Sequence, residues 1–274
     1  MKTLLGLLLA VHPISVGAQL ESIPDEAPQI IFAGEARKIQ VILRNPTDQT
    51  IEVRCRTRLF QASSATAMPL GEAQPWKKLQ VPAGQTIVES APLTFPAVRV
   101  GTRFLIQWLD EQGRVLSRTE VMVYPPGLLK ELKTLAGEQA LGVFDPQDQL
   151  KPLLKQSQVD FEDLEQNGLE NFRGRLAILG PLKSPERAPA DFGRRIKALA
   201  RAGRAVIWIQ TPSRFSPDSL LPVCLIREGD GAIAVIQSKA ASSLVENPQA
   251  QLRLVHLAAL ALKPEQWEST LLTP

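Results

Sequence analysis

The chain predicts a two-domain fold, an all-β sandwich followed by an α/β domain built on an open, doubly wound sheet. Two patterns carry this. Between residues 28 and 124, short runs rich in Val, Ile, Thr and Phe recur between turn residues at the spacing of a sandwich. Beyond residue 125, apolar runs of four or five residues alternate with amphipathic stretches, the β-α-β order of a sheet covered by helices. Composition fits two cores: 44% of 274 residues are hydrophobic and 22% charged, more chain than one domain ordinarily holds.

The chain opens with a pattern of its own. Met1-Lys2-Thr3 supplies a positive charge, Leu4 to Val11 is apolar with five leucines, and Val16-Gly17-Ala18 precedes Gln19. That order of parts is a secretory signal, residues 1–18, cleaved near Ala18. Its apolar run is shorter than the roughly 20 residues needed to cross a bilayer, so no stable membrane insertion is expected. The expected location is a bacterial periplasm or the outside of the cell. Removing Lys2 with the signal takes the formal charge from +3 to +2, too little to imply a nucleic-acid partner.

In the sandwich, Ile39, Val41 and Leu43 alternate with polar neighbours, Asn45-Pro46-Thr47-Asp48-Gln49 turns the chain, and Ile51, Val53 and Cys55 alternate on the way back. This predicts a hairpin. Further strands are expected at 76–81, 86–95, 102–110 and 114–124, with Phe104, Ile106 and Trp108 facing the core. Tyr124-Pro125-Pro126-Gly127 ends the ladder and marks the domain boundary.

In the second domain, strands are expected at 140–144, 159–164, 176–179 and 205–209, and helices at 148–156 and from Asp191 to Gly203. Asp191 is the expected cap of the latter, with Ile196, Leu199 and Ala200 inward and Arg194, Arg195, Lys197, Arg201 and Arg204 in solvent. Cys224–Arg227 and Ala232–Gln237 form an edge hairpin across Glu228-Gly229-Asp230-Gly231. Pro248 opens a closing helix, Gln249–Leu262.

Residues 128–262 resemble the class I glutamine amidotransferase-like superfamily of flavodoxin-like domains, particularly degenerate versions appended to secreted bacterial carbohydrate-related proteins. The resemblance lies in element order, in Leu176-Ala177-Ile178-Leu179-Gly180-Pro181, and in the strand Gly231-Ala232-Ile233-Ala234-Val235-Ile236 followed by Pro248. The first domain resembles immunoglobulin or fibronectin-III-like modules of bacterial envelope proteins. Together they imply an immunoglobulin-like sandwich over 19–125, a flavodoxin-like α/β domain over 126–264 and a tail over 265–274. An active amidotransferase needs a cysteine on a tight, Gly-flanked turn after a strand. Here that segment reads Ile209-Gln210-Thr211-Pro212-Ser213, so the resemblance implies a pseudoenzyme.

Other chemistry has little foothold. Cys55 and Cys224 lack Cys or His neighbours at ligand spacing, so no metal is expected; both are read as buried, inert thiols, with a disulfide between them left open. His256, the one histidine beyond the signal, sits at the margin of an apolar stripe without a visible nucleophile or carboxylate partner. No Gly-rich loop follows a strand, which argues against a nucleotide cofactor. Neither Ser213 nor Ser216 lies in Gly-x-Ser-x-Gly, and Asp160, Glu162, Asp163 and Glu165 read as a solvated strand and loop.

Geometry supplies the remaining candidates. Ligands of open α/β sheets bind outside the carboxyl ends of the strands, which here gathers Asp145, Gly180, Pro181, Gln210, Thr211 and Arg214. The expected function is a non-catalytic binding or scaffolding protein of the bacterial envelope, its partner an envelope protein or a small polar ligand. One alternative is a carbohydrate-active hydrolase or accessory subunit using carboxylates at that crevice, with Trp76 and Trp267 as sugar platforms. Another is an adaptor that offers a sandwich edge to a partner strand.

Overall fold

The computed structural model describes residues 20–180, 191–210, 224–237, 244 and 247–267. The expected export signal, and the candidates Pro181, Thr211 and Arg214 with Ser213 and Ser216, lie outside them. The chain divides into two units: one built from 37–93 and 103–121 with the segment ending at Gln29, the other from 30–36, 94–102 and the chain from Met122 onward.

The N-terminal part is made of strands: β1 (Glu21–Ile23), β2 (Gln29–Phe32), β3 (Arg37–Arg44), β4 (Ile51–Ala62), β5 (Ala67–Pro69), β6 (Gln74–Val81), β7 (Thr86–Leu93), β8 (Thr102–Leu109) and β9 (Val115–Tyr124). They form two sheets, ordered β1-β3-β7 and β2-β9-β8-β4-β5, with β6 pairing β4 in the second. Period-two alternation explains the core: Ile39, Val41, Leu43, Phe104, Ile106 and Trp108 are buried, and their intervening neighbours are more exposed. Trp108 donates its indole N–H to Thr119 Oγ1 at 2.9 Å.

The expected hairpin over 39–56 is not formed. β3 pairs β1 and β7, whereas β4 pairs β5, β6 and β8, so the segment through Asn45 carries the chain from one sheet to the other. Asn45 explains why. Its fully buried side chain donates Nδ2–H to the carbonyls of Gln49 (2.7 Å), Val81 (2.9 Å) and Pro82 (3.1 Å) and accepts from Thr47 N–H. These bonds tie the β3–β4 passage to the β6–β7 passage, which makes the same change of sheet.

The C-terminal part holds α1 (Glu131–Ala136), β10 (Leu141–Phe144), α2 (Lys151–Gln156), β11 (Phe161–Asp163), α3 (Leu164–Asn167), β12 (Leu176–Leu179), α4 (Phe192–Arg201), β13 (Ala205–Gln210), β14 (Cys224–Glu228), β15 (Gly231–Gln237) and α5 (Pro248–Ala261). Its sheet runs β11-β10-β12-β13-β15-β14, parallel except for β14. On one face Leu132, Leu154, Leu254 and Leu257 pack against Val143, Ile178 and Ile207. On the other, Phe172, Phe192, Ile196 and Leu199 pack against Ala177, Leu179, Val206 and Ile233.

The expected fold class is corrected by this architecture. Strands dominate the described residues, fifteen of them in three sheets, and helices are few. A flavodoxin-like, doubly wound domain covers its parallel strands with substantial crossover helices, but α1, α2 and α3 have only 6, 6 and 4 residues. The chain itself stops them: Gly137 and Gly168 follow α1 and α3 at φ 76° and 79°, and Gln158 leaves α2 at φ 57°. Asp148, expected to begin a helix, lies at φ 51°, so α2 starts three residues later. The sheet ends on an antiparallel strand. The first unit's strand order likewise carries no immunoglobulin assignment.

Smaller corrections follow from side-chain bonding. Asp191 does not cap α4 with its carboxylate, which instead accepts from Arg195 Nε at 3.0 Å. Asn247 is the residue that caps α5, accepting from the Gln249 and Ala250 amides. Trp267 is buried with its N–H on the Leu260 carbonyl, and Trp76 is half-buried against Trp108 at 4.9 Å, so neither stands out as an exposed sugar platform.

Candidate functional site

The carboxyl ends of β10 and β11 bring together Asp145, Lys151, Asp163 and Glu165. Asp145 directly follows β10 and is 1% exposed. Its Oδ2 accepts from the amides of Leu150 (2.6 Å) and Lys151 (3.0 Å), satisfying N–H groups that the start of α2 would otherwise leave open. The Asp145 amide in turn donates to Glu165 Oε1 at 2.8 Å. Asp163 closes β11 and caps α3, accepting from the Glu165 amide at 3.0 Å.

Lys151 joins these groups. Its Nζ lies 2.8 Å from Asp163 Oδ2 and 2.7 Å from Glu165 Oε1, with only 12% of its side chain exposed. Burial alone would lower the Lys151 pKa, but the hydrogen bonds and charges of the two carboxylates outweigh it and raise it. Burial would similarly raise that of Asp163. The Lys151 hydrogen bond, the amides of Glu165 and Gln166 and the Lys151 charge hold it below the usual carboxylate value. Asp145 Oδ1 is buried and has no hydrogen-bond partner among the described residues.

Of the crevice candidates, Asp145 and Gly180 come together: Gly180, at φ 97°, donates its amide to the carbonyl of Phe144 at 2.7 Å. Gln210 ends β13, two strands away from β10. Asp163 is half-buried and ion-paired, which corrects its reading as solvated, whereas Glu165, paired with the same lysine, is exposed as expected. Asp160 does stand in solvent, paired with Lys133 at 2.7 Å. Lys151 was hidden by its place in a helical pattern. The only local trace was its position six residues after an Asp-Pro strand end.

The cysteines are unpaired. Cys55 is buried, and burial, followed by the Asp110 charge, pushes its thiol up to about 11. Cys224 is exposed, which corrects its reading as a buried thiol. It pairs in register with Val235, which pairs with Trp208, so the three share the face covered by α4. His256 is an exposed residue of α5, which packs on the opposite face. The sheet therefore separates the thiol from the imidazole. No group of three His, Cys, Asp or Glu among the described residues is placed to hold a metal ion, and none of their helices is long and apolar enough to cross a membrane.

No family model matches the chain, and no curated protein does. Among solved structures, it is similar to a β-glucosidase from Listeria innocua in complex with glucose, at 16% identity over 39% of this chain and 16% of that one, TM-score 0.29. It is similar to a Pseudomonas fluorescens alkylpurine DNA glycosylase bound to DNA containing an abasic site analog, at 16% identity over 39% and 31%, TM-score 0.29. A Bifidobacterium adolescentis β-glucosidase matches at 12% identity over 39% and 17%, TM-score 0.27. The chain thus spans less than a third of each of these proteins, and likenesses this slight carry no argument about fold or activity.

Proposed function

We propose that the protein is an exported, non-catalytic binding or scaffolding protein of the bacterial envelope. One observation carries the reading: the ionisable groups at the strand ends are bonded to one another and to the backbone. Lys151 is held by two carboxylates, and Asp145 holds the first amides of α2. A general base must reach its substrate, and the Asp145 oxygen without a partner among the described residues, Oδ1, is buried; a lysine nucleophile needs a depressed pKa. The Lys151 pKa is instead raised and that of Asp163 lowered. The sequence from the end of β13 onward, Ile209-Gln210-Thr211-Pro212-Ser213, adds support because it offers no thiol for acyl transfer. The amino-terminal run from Lys2 to Ala18 supports export.

The test is turnover by the purified protein on chromogenic glycosides and glutamine, set beside melting temperature in the presence of sugars and envelope extracts. The expected outcome is no turnover. Hydrolysis that disappears in Asp145→Asn or Glu165→Gln, with folding intact, would overturn the proposal.

A further inference from the structure

A groove on the α4-covered face of the second unit's sheet has the chemistry of an anion site. Its volume is about 470 Å³, within the range of small-molecule sites, and it is lined by Gly193, Arg194, Ile196, Lys197 and Arg201 of α4 and by Trp208, Ile226, Ile233 and Val235 of the sheet. The strand residues follow from register: Trp208 pairs Val235, and Ile226 pairs Ile233, so one apolar face is presented across β13, β15 and β14. Ile226 is 38% exposed, an apolar side chain left open at the sheet edge.

Charge among the lining residues is one-sided, Arg194, Lys197 and Arg201 with no carboxylate, although Asp191 stands at the start of α4 beside the Arg194 charge. Arg201 is matched by Glu228, whose Oε1 it reaches from Nε at 2.7 Å. Arg195, pointing elsewhere, holds Asp191 and Glu170. Arg194 and Lys197 are exposed, and among the described residues neither forms an ion pair. Two further donor groups lack an acceptor among the described residues. Trp208 Nε1 is buried without a hydrogen-bond partner among the described residues. Among the described residues, the first turn of the ten-residue α4 receives no side-chain cap, and Gly193 has nothing within 4 Å of where a Cβ would stand. Cations, an unpartnered N–H and an uncapped helix start all ask for acceptor oxygen, whereas the floor asks for hydrocarbon.

We infer that this groove binds an amphipathic organic anion, an apolar ring or chain bearing a carboxylate or sulfonate. The inference deepens the reading of the chain as a binding protein by naming a ligand class. The anionic group sits between Arg194, Lys197 and the start of α4, and the apolar body covers Trp208, Val235 and Ile226.

The test is titration of the intact protein with 1-anilinonaphthalene-8-sulfonate and with its uncharged relative N-phenyl-1-naphthylamine, read by probe emission. Alkylation of Cys224 by a neutral maleimide provides a second readout, since Cys224 lies on the same row as Trp208 and Val235. Saturable binding of one sulfonate per chain is expected, with slower Cys224 alkylation. Loosely packed protein also takes up such dyes, so the variants decide. Arg194→Glu with Lys197→Glu, both on the exposed side of α4, is expected to weaken the sulfonate about tenfold or more and to spare the neutral probe. Trp208→Phe is expected to weaken it several-fold, and unfolding curves check that each variant is folded. Equal binding of both probes, insensitivity to the charge reversal, or no saturable binding would overturn the inference. The non-catalytic reading would then stand or fall on its turnover assay alone.

Discussion

Asn45 shows how much one buried amide can decide. Its side chain holds three carbonyls and one amide across two passages between sheets. Asn45→Ala should cost about 2–4 kcal/mol, because one buried carbonyl and several part-buried groups lose their partner at once. Urea unfolding measures it, and a loss below about 0.5 kcal/mol would be that of an ordinary surface change. The two thiols offer a second check. Cys224, exposed, should react with a maleimide in native protein at neutral pH, whereas Cys55, buried and with its pKa pushed up to about 11, should react only on unfolding. Two fast-reacting thiols would contradict their placement. At this scale the sequence was a mixed guide. Trp108 was legible as core because it shares a strand face with Phe104 and Ile106. The buried status of Trp267 was not, because its flanks are polar and its cover comes from α5.

Among the elements, the β14–β15 turn meets the end of α4 at very close range. A Cβ on Gly231 would lie 2.3 Å from the carbonyl oxygen of Ala200 and 2.4 Å from that of Arg204. Both are backbone atoms that cannot swing aside, so Gly231→Ala should destabilise by about 2–3 kcal/mol, at the high end for added volume in a packed place. Gly193→Ala, in open space at the start of α4, should be neutral or slightly stabilising. Equal effects of the two in thermal melts would contradict the geometry. Strand positions were readable because alternation is local: β12 falls on Leu176–Leu179 as expected, and the edge hairpin over 224–237 formed. Pairing was less so. Whether β3 returns on itself or crosses to another sheet depends on β7 and β6, some 30 or more residues downstream, and Asn-Pro-Thr-Asp is turn chemistry in either case. Helix length was overread for the same reason: Leu150, Leu153 and Leu154 have helical spacing, but only the left-handed Asp148 shows where the turn begins.

For the molecule as a whole, the proposed non-catalytic role requires the strand-end cluster to serve stability and not chemistry. Asp145 was legible there because a carboxylate after a strand points to a crevice. Its partners were not, since Lys151 lies 12 and 14 residues from Asp163 and Glu165 and only the sheet joins them. The pKa directions set a pH window. Asp163 is depressed, so its contribution is present above the ordinary carboxylate range, near pH 4, and is lost as pH falls through its folded value. Lys151 is raised, so its contribution is present below about pH 10.4 and is lost as pH rises through its folded value. Lys151→Met should therefore cost most near neutrality and progressively less towards either extreme. A difference from wild type that stays constant between pH 3 and pH 11 would contradict this assignment.

The most direct measurement is a double-mutant cycle on Lys151→Met and Asp163→Asn, followed by urea unfolding at pH 7. Catalytic charges are commonly held at a cost in stability, so their removal tends to stabilise. A structural pair behaves in the opposite way. The expected result is that each single change destabilises and that the two are coupled by about 1–3 kcal/mol, as suits a partly buried ion pair. Variants at least as stable as wild type, with no coupling between them, would contradict the account.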